Sequence, residues 1–206
     1  QNRGFEYIAT AGGLRGNLVP WISWAPVGDL IAYFARTEKK KTLIVQNVVT
    51  GKTVYRLELK AVDMPESPSF SPDGKRVAFS AIDKAVTDIY VVDLATGALT
   101  NVTKDALADY SPTFSPDGRS LVYTVRISGN DKLFQLDLAS GKKTQLTFGT
   151  HDDTGARFLD ANTLVLLGVA NDGELNPQHS TEPVYFVAHL EEHFRMPYAE
   201  FVDRVV

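Results

Sequence analysis

Short runs of β-branched and aromatic residues alternating with polar ones fill most of this chain, and turn residues interrupt them at regular intervals. Val77 to Ser80, Ile89 to Val92 and Leu121 to Thr124 are of this kind, too brief for helices. Alternation with period two predicts strands, because successive side chains of a strand point to opposite faces of a sheet.

The pattern also repeats on a larger scale. Ser67-Pro68-Ser69-Phe70-Ser71-Pro72-Asp73-Gly74 returns as Ser111-Pro112-Thr113-Phe114-Ser115-Pro116-Asp117-Gly118, a period of 44 residues, and Asp88 to Gly97 returns in step as Lys132 to Gly141. A weaker copy precedes these, with Pro26 lying 46 residues before Pro72. Another follows from Ala156 to Val165, with Asn162 where the glycine stood. Asn replaces Gly most readily at a left-handed turn position, so this copy also makes physical sense. Ser-Pro-Asp-Gly suits a tight turn between strands: Pro presets φ, Asp bonds its own backbone and Gly relieves the crowded last position. Asp-Leu-Ala-Thr-Gly makes a second turn before an outermost strand, giving about four strands per copy. Trp24, Phe70, Phe114 and Phe158 share one position on the first strand, where a large ring is expected to fill the gap between neighbouring sheets. Four-stranded units of roughly 40 to 50 residues, stacked radially, are propeller blades.

The Ser-Pro-Asp-Gly-Lys/Arg motif after a Pro-x-Phe/Trp strand, followed by Asp-Leu-x-x-Gly and a Leu-Thr strand end, resembles the TolB-like, WD-like propeller repeat. Related repeats resemble the propellers of prolyl-oligopeptidase-type enzymes. The likeness runs from about residue 4 to 188 and is strongest in the two central copies. It departs at Val27, where the first copy lacks Asp, and in the fourth copy, which has neither turn motif. The fold expected is all-β, a β-propeller of four recognisable four-stranded blades at about 18–60, 64–104, 108–148 and 152–188. The resemblance implies six blades, so these four either belong to a larger ring or close among themselves. Phe5 to Ala9, within an extra outer strand at 4–10, would close a four-bladed ring by completing the fourth copy beyond its third strand, Pro183 to Val187. The segment 189–206 is expected to be a short amphipathic helix with Phe194, Tyr198, Phe201, Val202 and Val205 on one face. It would pack on the propeller or open a further domain.

Composition removes several functions. The chain has 206 residues, 44% of them hydrophobic and 22% charged, which is ordinary for a globular protein. It contains no cysteine, which excludes disulfides, thiolate metal sites and a cysteine nucleophile. A net charge of −4 argues against general nucleic-acid binding, and Lys39-Lys40-Lys41 reads as a solvated hairpin tip. No apolar run approaches the ~20 residues of a membrane-spanning helix. Gln1-Asn2-Arg3 begins no signal peptide, so an export signal is expected to have been removed.

The chemical motifs read mostly as structure. His189-Leu190-Glu191-Glu192-His193 fits the inverted zinc-protease pattern, but it begins where a strand is ending and few residues remain to supply a third ligand. No Gly-x-Ser-x-Gly elbow occurs, Gly12 to Gly16 lacks phosphate-loop spacing, and the sequon Asn101-Val102-Thr103 reads as strand. The expectation is therefore of no enzyme activity and no cofactor.

The connections between blades are the candidate site. Asp105, Asp109 and Tyr110 occupy places equivalent to His151, Asp152 and Asp153, in loops leading into innermost strands near the expected channel mouth. Carboxylates there would meet a basic peptide or a cation, or Asp109 and Asp153 would simply bond backbone amides. The Asp-Leu-x-x-Gly turns, with Lys142 and Lys143 after the second, are expected to lie away from this site. The function expected is a non-catalytic scaffold binding a protein or peptide in the bacterial envelope, periplasmic or otherwise exported. The alternative is the propeller portion of a larger peptidase, positioning its substrates.

Overall fold

The computed structural model describes residues 22–36, 40–148, 152–169, 184–189 and 194–196. These form four antiparallel sheets of four strands, each a meander of consecutive strands. Sheet 1 contains β1 (Ile22–Trp24), β2 (Leu30–Arg36), β3 (Lys41–Asn47) and β4 (Thr53–Glu58), and sheet 2 contains β5 (Asp63–Phe70), β6 (Arg76–Asp83), β7 (Val86–Asp93) and β8 (Leu99–Asn101). Sheet 3 contains β9 (Ala108–Phe114), β10 (Ser120–Ile127), β11 (Asn130–Asp137) and β12 (Lys143–Gln145), and sheet 4 contains β13 (Asp152–Phe158), β14 (Thr163–Val169), β15 (Val184–His189) and β16 (Phe194–Met196). The chain divides into two compact units, Gln1–Lys104 with sheets 1 and 2 and Asp105–Val206 with sheets 3 and 4.

The turns close as their residues dictate. Ser115 N–H donates to Ser120 O at 2.9 Å, its hydroxyl donates to Asp117 Oδ1 at 2.6 Å, and Asp117 Oδ1 accepts the Arg119 amide at 3.0 Å. Ser71 and Asp73 form the same network one copy earlier. The Ser115 hydroxyl, and then the Arg119 amide, hold the Asp117 carboxyl below its ordinary value. In the second turn Asp93 Oδ1 accepts the amides of Ala95 and Thr96 and the Thr96 hydroxyl, and Asp137 does likewise for Ala139 and Ser140. The fourth copy departs from expectation. Its first turn is one residue shorter, closed by Leu159 N–H to Thr163 O, and Asn162 is not left-handed; its amide instead bonds Asp160 Oδ1.

The sequon also serves the sheet. Thr103 Oγ1 accepts the Ile89 amide beyond the end of β8, and Thr147 Oγ1 accepts the Leu133 amide in the same way after β12. Each threonine thus extends the ladder past a three-residue outer strand.

Each unit has its own core. In the first, Ala25 just after β1 and Ala32, Phe34, Leu43 and Val45 of sheet 1 pack with Phe70, Val77, Phe79, Tyr90 and Val92 of sheet 2. The rings of Phe34 and Phe79 meet edge to face at 5.1 Å. In the second, Val122 and Leu133 of sheet 3 pack with Ala156, Leu164 and Leu166 of sheet 4.

The four aromatic positions share a register, Trp24 opposite Ile31, Phe70 opposite Val77, Phe114 opposite Leu121 and Phe158 opposite Leu164. Their burial differs. Phe70 is 5% exposed, but Trp24 is 60% exposed, so its ring does not fill a gap between sheets as the repeat led one to expect. The place beside β15 is taken by β16, and Phe5 to Ala9 lie outside the described residues. Phe194 also belongs to that strand and does not begin a helix; 197–206 lie outside the described residues.

Candidate functional site

Antiparallel order puts the entry to β9, the β10–β11 turn and the exit from β12 at one end of sheet 3, opposite the Ser-Pro-Asp-Gly turn. Of the candidate residues, Asp105, Asp109, Tyr110, Asp152 and Asp153 lie toward this end of the second unit. Asp105 Oδ1 accepts the Leu107 amide at 2.8 Å, and Lys143 Nζ donates to Asp105 Oδ2. Lys143, expected to be remote from the loops, is therefore part of the site: its four-carbon stem carries the ammonium from β12 to the entry of β9.

Asp109 lies opposite Val125 and is almost fully buried. Burial, and then the charge of Asp109, push the Tyr123 hydroxyl well above its ordinary pKa. Tyr110 is half-buried opposite Thr124, within electrostatic reach of Arg126. Arg126 grips Asp131 with both arms of its guanidinium, Nε to Oδ1 at 2.8 Å and Nη2 to Oδ2 at 3.1 Å, and this bond raises its pKa. Bidentate pairing of this kind fixes geometry as well as charge.

The loop into sheet 4 is held from the same end. Asp152 Oδ1 accepts the Asp131 amide at 2.8 Å. Asp153 is 0% exposed and pairs at 3.3 Å with Lys132, whose side chain is 5% exposed. These bonds latch β13 to β11, and a hydroxyl contact between Thr124 and Thr154 at 3.3 Å adds a third link. His151 lies outside the described residues, as do Leu190 to His193 of the zinc-protease-like motif, whose His189 ends β15. Among the described residues no group of three or more His, Asp or Glu is placed to hold a metal ion.

The structure thus pairs cations with carboxylates: Asp105 with Lys143, Asp131 with Arg126, Asp153 with Lys132. Sequence reasoning missed all three cations. The signal for Lys132 was present, because the preceding copy carries Asp88 at that place. It also passed over two apolar side chains at this end, Leu107 at 40% and Phe148 at 61% exposure. Chemically, the end offers a braced backbone, a phenol, partly neutralised carboxylates and two exposed apolar groups, an arrangement suited to recognition.

Comparison with known proteins agrees with this architecture. The model of the TolB beta propeller domain matches residues 17–180. The Tol-Pal system protein TolB of Francisella tularensis subsp. holarctica is 36% identical over 84 residues, covering 39% of this chain and 19% of that protein. Dipeptidyl-peptidase 5 of Porphyromonas gingivalis is 31% identical over 103 residues, covering 40% and 15%. The crystal structure of TolB from Acinetobacter baumannii superposes with a TM-score of 0.70 at 23% identity, over 85% of this chain and 42% of that one. This chain therefore spans less than half the length of each of these relatives.

Proposed function

The chain belongs to the TolB beta propeller domain family, and from that premise we propose that it is a non-catalytic module that binds a protein or peptide through the loop end of its sheets. The observation that carries this reading is the exposure of Leu107 and Phe148 at the same end of the second unit as Tyr110, Asp105 and Asp152, on a backbone braced by ion pairs. Apolar and aromatic groups on a rigid base supply most of the energy of peptide recognition, while rim charges mainly orient the ligand. Loops at one end of a fixed scaffold can do this without disturbing its core. A TolB of the Tol-Pal system among the relatives supports an envelope setting, with the chain periplasmic or otherwise exported. Among the described residues no helix is long and apolar enough to cross a membrane. On this reading the protein takes no nucleic acid.

The second reading is a propeller portion of a larger peptidase, where the same end would position peptide substrates. It is favoured by one observation, the match to dipeptidyl-peptidase 5. Under both readings the chain itself cleaves nothing.

A random peptide library displayed on phage, selected against the whole chain, tests the binding end. Selected peptides should lose about tenfold or more in affinity to Phe148→Ser or Leu107→Ser, as expected for an anchor, with the melting temperature unchanged. Asp137→Asn, in a turn at the opposite end of sheet 3, should leave affinity intact. No enrichment, or peptides indifferent to both loop substitutions, would overturn the assignment, and peptide hydrolysis that copurifies with the chain would overturn the absence of catalysis.

A further inference from the structure

Two turns of the repeat contain a dipeptide with chemistry of its own. Asp73-Gly74 and Asp117-Gly118 close the Ser-Pro-Asp-Gly turns of sheets 2 and 3. Val27 and Ala161 stand at the aspartate place in the first and fourth copies, so the chemistry belongs to the two central turns.

In a free chain an aspartate followed by glycine is prone to rearrange. The glycine nitrogen attacks the aspartyl Cγ, and the proton of that nitrogen leaves with the carboxyl hydroxyl as water, closing a five-membered succinimide. Glycine favours the step because it has no Cβ to crowd the attacking nitrogen. Hydrolysis then returns one water. Where the water opens the main-chain carbonyl, the product is isoaspartate, whose backbone runs through Cγ and is one carbon longer.

Solvent is not what restrains this reaction here, because Asp73 and Asp117 are both exposed. Their hydrogen bonds oppose it at three points. Gly118 N–H donates to Ser115 O at 2.8 Å, and Gly74 N–H donates to Ser71 O at 2.8 Å. A succinimide nitrogen carries no hydrogen, so ring closure must break this bond. The carboxyl is engaged as well. Asp117 Oδ1 accepts the Ser115 hydroxyl at 2.6 Å and the Arg119 amide at 3.0 Å, while Asp73 Oδ1 accepts the Ser71 hydroxyl at 2.5 Å and the Lys75 amide at 3.1 Å. These donors favour the carboxylate over the neutral acid from which water departs. The Ser71 hydroxyl, and then the Lys75 amide, hold the Asp73 carboxyl below its ordinary value, as their counterparts do for Asp117. Finally, Ser115 N–H bonds Ser120 O and Ser71 N–H bonds Arg76 O, each at 2.9 Å, across loops whose length an added backbone carbon would spoil.

We propose that Asp73 and Asp117 are latent sites of isoaspartate formation, open to water but closed by their turns, and that each reacts only when its own turn opens. The restraining bonds are local to each turn, so a local opening suffices, and local openings cost less than global unfolding.

The test incubates the whole chain at physiological pH and temperature in ¹⁸O-water. After digestion, mass spectrometry counts the isotope inserted at each site, and backbone fragmentation distinguishes isoaspartate from aspartate. Synthetic peptides of residues 69–77 and 113–121 give the rates without the fold. Both sites should react at least about tenfold more slowly in the folded chain than in the peptides, as a local opening equilibrium implies. Ser115→Ala removes a hydrogen bond to a charged acceptor and should speed Asp117 about tenfold, leaving Asp73 at its wild-type rate. Ser71→Ala should do the reverse. Equal rates in folded chain and peptides, or unchanged rates in both variants, would overturn the proposal. So would equal acceleration at both sites in a variant that circular dichroism shows to be folded. If Ser115→Ala does not fold, Ser71→Ala and the comparison of the wild-type chain with the peptides decide.

Discussion

At the scale of single residues, the second unit depends on charges that have been taken out of water in pairs. Lys132 and Asp153 are the clearest case, because both side chains are almost wholly enclosed. Such a pair contributes little net stability over apolar residues of the same size, but removing one member leaves the other charge stranded. Lys132→Ala should therefore cost about 3 to 5 kcal/mol in urea unfolding, and Lys132→Met combined with Asp153→Leu should recover most of it. A single-substitution cost below about 1 kcal/mol would place the pair in water, where exposed ion pairs fall. Asp153 was legible in the sequence as a candidate, but its partner was not. A buried lysine on a strand looks like any solvated lysine until the packing around it is known.

At the scale of elements, the first strands of sheets 2, 3 and 4 each carry a bulge at one place. Ser67 and Pro68 lie opposite Phe79, Ser111 and Pro112 opposite Tyr123, and Gly155 and Ala156 opposite Leu166. The first residue of each pair is left-handed, at φ 51°, 50° and 65°. Proline suits the second place because it has no amide to leave unpaired. Gly155→Ala should then cost about 1 to 2 kcal/mol, the penalty for an L-residue in the left-handed region, measured by chemical denaturation; a neutral result would mean that the bulge relaxes. The Ser-Pro pairs were visible in the sequence as repeat markers and the Ser-Pro-Asp-Gly turns as turns, because their side chains bond locally. The bulges were not legible, since serine carries no signature of a positive φ. Nor was β16, whose three residues, Phe194–Met196, fit a helical face as well as a strand.

At the scale of the whole molecule, equivalent positions in the repeat do not have equivalent energies. Phe70 is enclosed in the core of the first unit, and Trp24, in the same register one copy earlier, is largely open. Phe70→Ala should cost about 3 to 5 kcal/mol and Trp24→Ala less than 1; calorimetry showing equal losses would mean that Trp24 is covered in solution. A repeat reveals which residues correspond, while burial depends on what lies against each copy. The meander order of the sheets bears on how the chain is made. Each sheet takes its four strands from one continuous stretch, so its hydrogen-bonded ladders close without waiting for distant sequence. Short sequence separation favours fast folding. A sheet can thus form on the ribosome as soon as its own segment has emerged, and duplication of such a segment in the gene adds a sheet without rerouting any strand already in place.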